Sequence, residues 1–174
     1  VYSFFGASQQ LGGTATFALL VAGSFLLRKS DRHDVIHLLE AGSKAEKMLA
    51  LAEVEATPGM WPRVKPLASA ILKGTETEVR VRLLDLIEAR RDASLLSEVH
   101  ALLVDPDDSV RERALRCVRT IGGRASAEPI LAAAAKEEDD YLKVELAEAL
   151  LELGDARGVP LMIDVLAEGE AAQA

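Results

Sequence analysis

The stretch LLVDPDDSVRERALRCVRTIGG, residues 102–123, carries two competing signals. Its four arginines suggest a site for phosphate or nucleic acid. Its apolar residues Val110, Ala114, Leu115, Val118 and Ile121 recur at steps of three and four and predict one face of a helix. Asp105 before Pro106 reads as an N-cap followed by proline at the first helical position. Ser109 with Glu112 has capping-box spacing, as does Thr75 with Glu78. Gly122 and Gly154 stand where a left-handed C-terminal turn is wanted.

The pattern recurs on both sides. TETEVRVRLLDLIEARRD (75–92), PDDSVRERALRCVRTIGG (106–123) and EDDYLKVELAEALLELGD (138–155) align at spacings of 31 and 32 residues. Val79, Val110 and Leu142 correspond, as do Arg80, Arg111 and Lys143, and Leu83, Ala114 and Leu146. Another helix precedes each: KPLASAIL from Lys65, SEVHALLV from Ser97, AEPILAAAA from Ala127 and GVPLMIDVL from Gly158. Pro66, Pro129 and Pro160 fall at one position of the unit and mark recurring helix starts, because a first-turn amide has no intrahelical partner. DVIHLLEAG (34–42) and KAEKMLALAEVEA (44–56) read as an earlier, less regular pair, followed by the irregular link TPGMWP (57–62). Trp61 in that link reads as cover for the end of the stack, with a partner anchor as the alternative. The final helix, about 156–167, has no second partner, so it either caps the stack or precedes further chain.

One helix pair cannot bury its apolar face alone. Stacked pairs share a continuous core, with first helices on the outer side and second helices on the inner, concave side. The helical pair of 31–32 residues, with DPDDSVRERAL in its turn and second helix, resembles bacterial HEAT-like repeats, the short kind also seen in phycobilisome lyase-type proteins. The resemblance covers residues 63–167 clearly and 34–62 weakly. It implies an all-α fold, a right-handed α-solenoid of stacked antiparallel helix pairs. It also implies an interaction scaffold, since the family is mainly that and includes only a few enzymes.

The net charge is −8 with a pI near 5.0, which argues against broad contact with a polyanion. Cys117 is the sole cysteine, so neither an intrachain disulfide nor a cysteine-rich metal site can form. His33, His37 and His100 lack ligand spacing, and no glycine-rich phosphate loop is present. The sequence therefore points to no catalytic residue, no metal ligand and no cofactor. Cys117 reads as a buried, inert thiol and the run EEDD (137–140) as a solvated turn.

Residues 1–27 contain no charged side chain, and RKSDRH follows at once. A membrane-spanning helix needs about 20 mostly apolar residues, and the run up to Leu27 just reaches that. Thr14, Ala18 and Ala22 are spaced for close helix packing. If the run is a span, Arg28, Lys29 and Arg32 after it place the remainder in the cytoplasm. The expectation is a membrane-associated chain in three parts: an apolar anchor over 1–30, an irregular pair over 31–62 and repeats over 63–174. A helix buried in a soluble cytoplasmic protein and a signal remnant are the alternatives. The chain begins with Val, which fits a fragment or a processed form.

The arginines admit two readings. Arg116 aligns with Asp85 and Glu148, so charge alternates across three helices as in an inter-repeat ion-pair ladder, and Arg119 is placed to meet Glu88. Arg80, Arg111 and Lys143 share a row near the acidic turns and can bind turn carbonyls or carboxylates. Alternatively, Arg82, Arg113 and Arg116 form a basic strip on the concave face for an acidic partner. The rest of that face is acidic: Asp85, Glu88, Glu145, Glu148 and Glu152. A mixed surface suits a protein partner better than a nucleic-acid backbone. The leading expectation is a non-catalytic, membrane-tethered interaction module, with the cytoplasmic tail of a multi-span transporter as a variant. A DNA-binding HEAT-like protein and a bilin lyase-type enzyme remain as alternatives.

Overall fold

Every element in the described part of the chain is a helix or a turn, as the apolar spacing predicts. The structure is a computed structural model. It describes residues 35–171, with side chains described to residue 167. The helices are α1 (35–41), α2 (Lys44–Ala56), α3 (Trp61–Leu72), α4 (Thr77–Arg90), α5 (Leu96–Ala101), α6 (Asp108–Ile121), α7 (Ala127–Ala134), α8 (Asp140–Glu152) and α9 (Gly158–Ala171). The chain divides into two compact units, Val1–Glu53 and Val54–Ala174.

In the first unit, α2 starts at a capping box that the sequence reading missed. The Ser43 amide and hydroxyl both donate to the Glu46 carboxylate at 2.8 Å, and the Glu46 amide returns to the Ser43 hydroxyl. The boxes expected at Thr75 and Ser109 do not form. Helix α4 begins at Thr77, and Asp107 caps α6 by accepting from the Ser109 amide at 3.0 Å. Asp105, expected as the N-cap with Pro106 at the first helical position, sits two residues before the true cap and accepts from the Asp107 amide.

In the second unit the pairs α3–α4, α5–α6 and α7–α8 each pack together. Second helices stack α4 on α6 and α6 on α8, and first helix α5 meets α7. This is the all-α solenoid that the 31–32-residue repeat predicts. Its core consists of rows at equivalent positions. Leu83, Ala114 and Leu146 are all at most 1% exposed, and so are Ile87, Val118 and Leu150. Leu86, Cys117 and Ala149 form another such row. Cys117 is thus one rung of a hydrophobic column, which accounts for its presence without chemistry.

Two local expectations change. Burial aligns Ala68, Val99 and Ile130 at a constant step of 31, which puts Pro66 one place away from Pro129 and Pro160. Pro66 lies inside α3, which starts a turn earlier with Pro62 in its first turn. Gly122 is extended rather than left-handed. A Cβ there would lie 2.5 Å from both the Ser126 hydroxyl and the Val118 carbonyl oxygen, so its need for glycine is steric. Gly154 does take the left-handed turn, at φ +77°. Gly154→Ala should therefore cost about 1 kcal/mol in urea unfolding, from Cβ strain at that φ.

The expectation of a membrane-associated chain is overturned for the described residues. No helix among them is long and apolar enough to cross a membrane. The longest have 14 residues, well short of the roughly 20 a span needs. The anchor expected over 1–30, with Thr14, Ala18 and Ala22, lies outside the described residues.

Candidate functional site

The second helices α4, α6 and α8 lie side by side, and their outward residues make a strip of charge. The structure brings the candidate residues together mostly with one another. Arg82 pairs with Glu55. Arg113 reaches Asp85 at 2.9 Å, and Arg116 reaches Glu88 at 3.2 Å. The Thr120 hydroxyl donates to the same Glu88 oxygen at 3.1 Å. Arg119 binds Glu145 at 2.8 Å and holds Glu152 through two nitrogens. A ladder exists, but with other partners than the alignment suggests: Arg116 meets Glu88 rather than Asp85 or Glu148, and Arg119 meets α8 rather than Glu88. Glu148 is half-buried, and its charge acts on Arg119 and Tyr141.

The row Arg80, Arg111 and Lys143 serves the turns. Arg80, 7% exposed, pairs with the buried Asp105 in the next repeat. Arg111 donates to the Asp105 carbonyl at 2.9 Å and grips both oxygens of Glu137, at 2.8 and 3.1 Å. The run EEDD is accordingly not a uniformly solvated turn. Glu137 is buried and also accepts from the amides of Glu138 and Asp139, while Asp139 caps α8. Burial pushes the Glu137 carboxyl up, but Arg111 and those amides outweigh it and hold it below the ordinary carboxylate range. Arg111 is raised in turn, first by its bond to Glu137. Lys143 lies 3.6 Å from Asp140.

Trp61 is buried, and its indole N–H donates to Asp92 at 2.8 Å. Lys65 and Ser94 bind the same carboxylate. Its pKa stays far below normal because these hydrogen bonds outweigh the burial that would raise it. Trp61 is therefore a strut between α3 and the turn after α4. His100 Nε2 lies 2.9 Å from the hydroxyl of the fully buried Ser126, and burial lowers its pKa. Burial, with Glu88 and Asp85 adding to it, pushes the Cys117 thiol up to about 12. A thiol reagent at pH 8 should leave native protein unlabelled and react fully after denaturation. Prompt labelling of the native protein would place Cys117 at the surface.

Between α6 and α8 the charged strip opens into a groove of about 260 Å³. Leu115 and Leu142 form part of its lining, and Glu88, Glu112, Arg116, Arg119, Thr120 and Glu145 surround them. Tyr141 also lines the groove and is 68% exposed. The sequence reading missed it, although the repeat marks it: Glu78 and Ser109 hold the equivalent positions. Among the described residues, no group of three His, Cys, Asp or Glu side chains is arranged to hold a metal ion.

Comparison with protein families gives a match to the model for HEAT repeats over residues 64–151. Comparison with curated proteins gives no match.

Proposed function

The chain belongs to the HEAT-repeat family, and from that premise we propose that it is a non-catalytic scaffold that holds a segment of a protein partner against α4, α6 and α8. The observation that carries this reading is the groove between α6 and α8, lined by Leu115, Leu142 and Tyr141 together with charges of both signs. A peptide can seat a side chain against the exposed Tyr141 while its polar groups meet the charges around it. The candidate contact residues are Arg82, Asp85, Glu88, Arg113, Arg116, Glu145 and Glu148. The alternative of a free basic strip for an acidic partner is disfavoured, since Arg82, Arg113 and Arg116 are each engaged by a carboxylate. Surface pairs of this kind contribute only about 0–1 kcal/mol each, so a partner can exchange them at little cost.

The test is a selection of peptides from a random display library on the purified chain, followed by hydrogen-exchange footprinting of the bound peptides. Protection concentrated on α4, α6 and α8 supports the assignment. Protection confined to α3, α5 and α7, or no selectable binder, overturns it.

A further inference from the structure

We infer that the groove between α6 and α8 is an anchor for a cationic side chain, so that the segment it takes is basic, with an arginine or lysine seated on Tyr141. The inference rests on the reading of this face as a partner site and specifies the partner's chemistry. Three observations meet at one place. Tyr141 stands in the first turn of α8 with most of its surface exposed, where the other repeats carry Glu78 and Ser109. Tyr141 is also one of the residues that line the groove.

Carboxylates surround that ring. Glu145 lies one turn along α8, Glu112 faces it from α6, and Glu148 follows Glu145 on α8. The Tyr141 hydroxyl is raised above its usual pKa, first by the charge of Glu145, then by burial and a hydrogen bond to Glu145, and after these by the charges of Glu112 and Glu148. The two guanidinium groups of the groove do not balance these carboxylates. Arg116 is turned to Glu88, and Arg119 is shared between Glu145 and Glu152. A π-face with negative charge around it attracts a cation by its quadrupole and by Coulomb energy together. An acidic or neutral segment gains neither. Arginine suits the site best, because its flat guanidinium can stack on the ring while its edge donates to Glu112 or Glu145. The net charge of −8 favours the same partner at long range.

The experiment uses the full chain and two fluorescent decapeptides, one with alternating arginine and glycine and one with glutamine in place of each arginine. Binding is read by anisotropy at 50 and 300 mM salt. The arginine peptide should bind, weaken at the higher salt, and outcompete the glutamine peptide. Tyr141→Ala should weaken it about three- to tenfold, Tyr141→Phe should keep most of the affinity, and Glu112→Gln should lower affinity and flatten the salt dependence. Circular dichroism checks that each variant keeps its helices, which the exposure of Tyr141 favours. Equal binding of both peptides, no binding of the arginine peptide, or indifference to Tyr141→Ala each overturns the inference. Peptides from the display library that still protect α4, α6 and α8 would in that case leave the scaffold reading standing.

Discussion

Arg111→Ala is expected to destabilise the protein by about 3–5 kcal/mol, the usual cost of leaving one member of a buried ion pair behind. Glu137 keeps only 4% of its side chain exposed and would lose two of its hydrogen bonds at once. The Asp105 carbonyl would lose a donor too. For a chain of this size the fall in Tm should be roughly 6–20 °C. The pH dependence gives the mechanism. In the wild type the folded pKa of Glu137 lies below its ordinary value of 4.5. Its contribution is therefore present above that value and is lost as pH falls through the lowered folded pKa. In the variant, burial acts on Glu137 without Arg111, so its carboxylate is a burden at pH 7 that protonation relieves. The stability gap between the two proteins should shrink on going from pH 7 to pH 4. Urea titrations at both values check this, and an equal gap at both would mean that the loss is packing alone.

Leu83→Ala should cost about 2–5 kcal/mol, from lost burial plus the cavity that remains. Leu83 is fully buried in α4, in the row with Ala114 and Leu146. Ala114 is small at that level, so α6 offers no long side chain that could swing into the space. Val104→Ala, at a position 47% exposed, is the control and should stay within about 0.5 kcal/mol. Urea midpoints measure both, and similar small shifts for the two would contradict the stacked core.

The period of the stack was legible because burial repeats with the sequence. Val79, Val110 and Leu142 are interior at every level, and three- and four-residue apolar steps predict as much. The ladder was not legible. Alignment pairs equivalent positions, but Arg113 meets Asp85 and Arg116 meets Glu88, each at a separation of 28 rather than 31. A long arginine side chain slants along its neighbour and meets a carboxylate about one turn away from the equivalent position. Glu137 was misread because a run of four acids looks solvated until the distant Arg111 is placed on it. Pro66 and Gly122 each resembled a familiar signal, and each is used differently: one lies within a helix, the other makes room for Ser126. Tyr141 needed a different question, which residue breaks the repeat rather than which residues keep it.

The layered core also governs how the molecule comes apart. Within Val54–Ala174, α6 is flanked by α4 on one side and α8 on the other, whereas α9 leans mainly on α8. Because each layer borrows its stability from those beside it, amide protons should exchange with deuterium soonest in α9 and latest in α6. Local opening below the global transition then follows a gradient that runs inward, with Cys117 at its slow end.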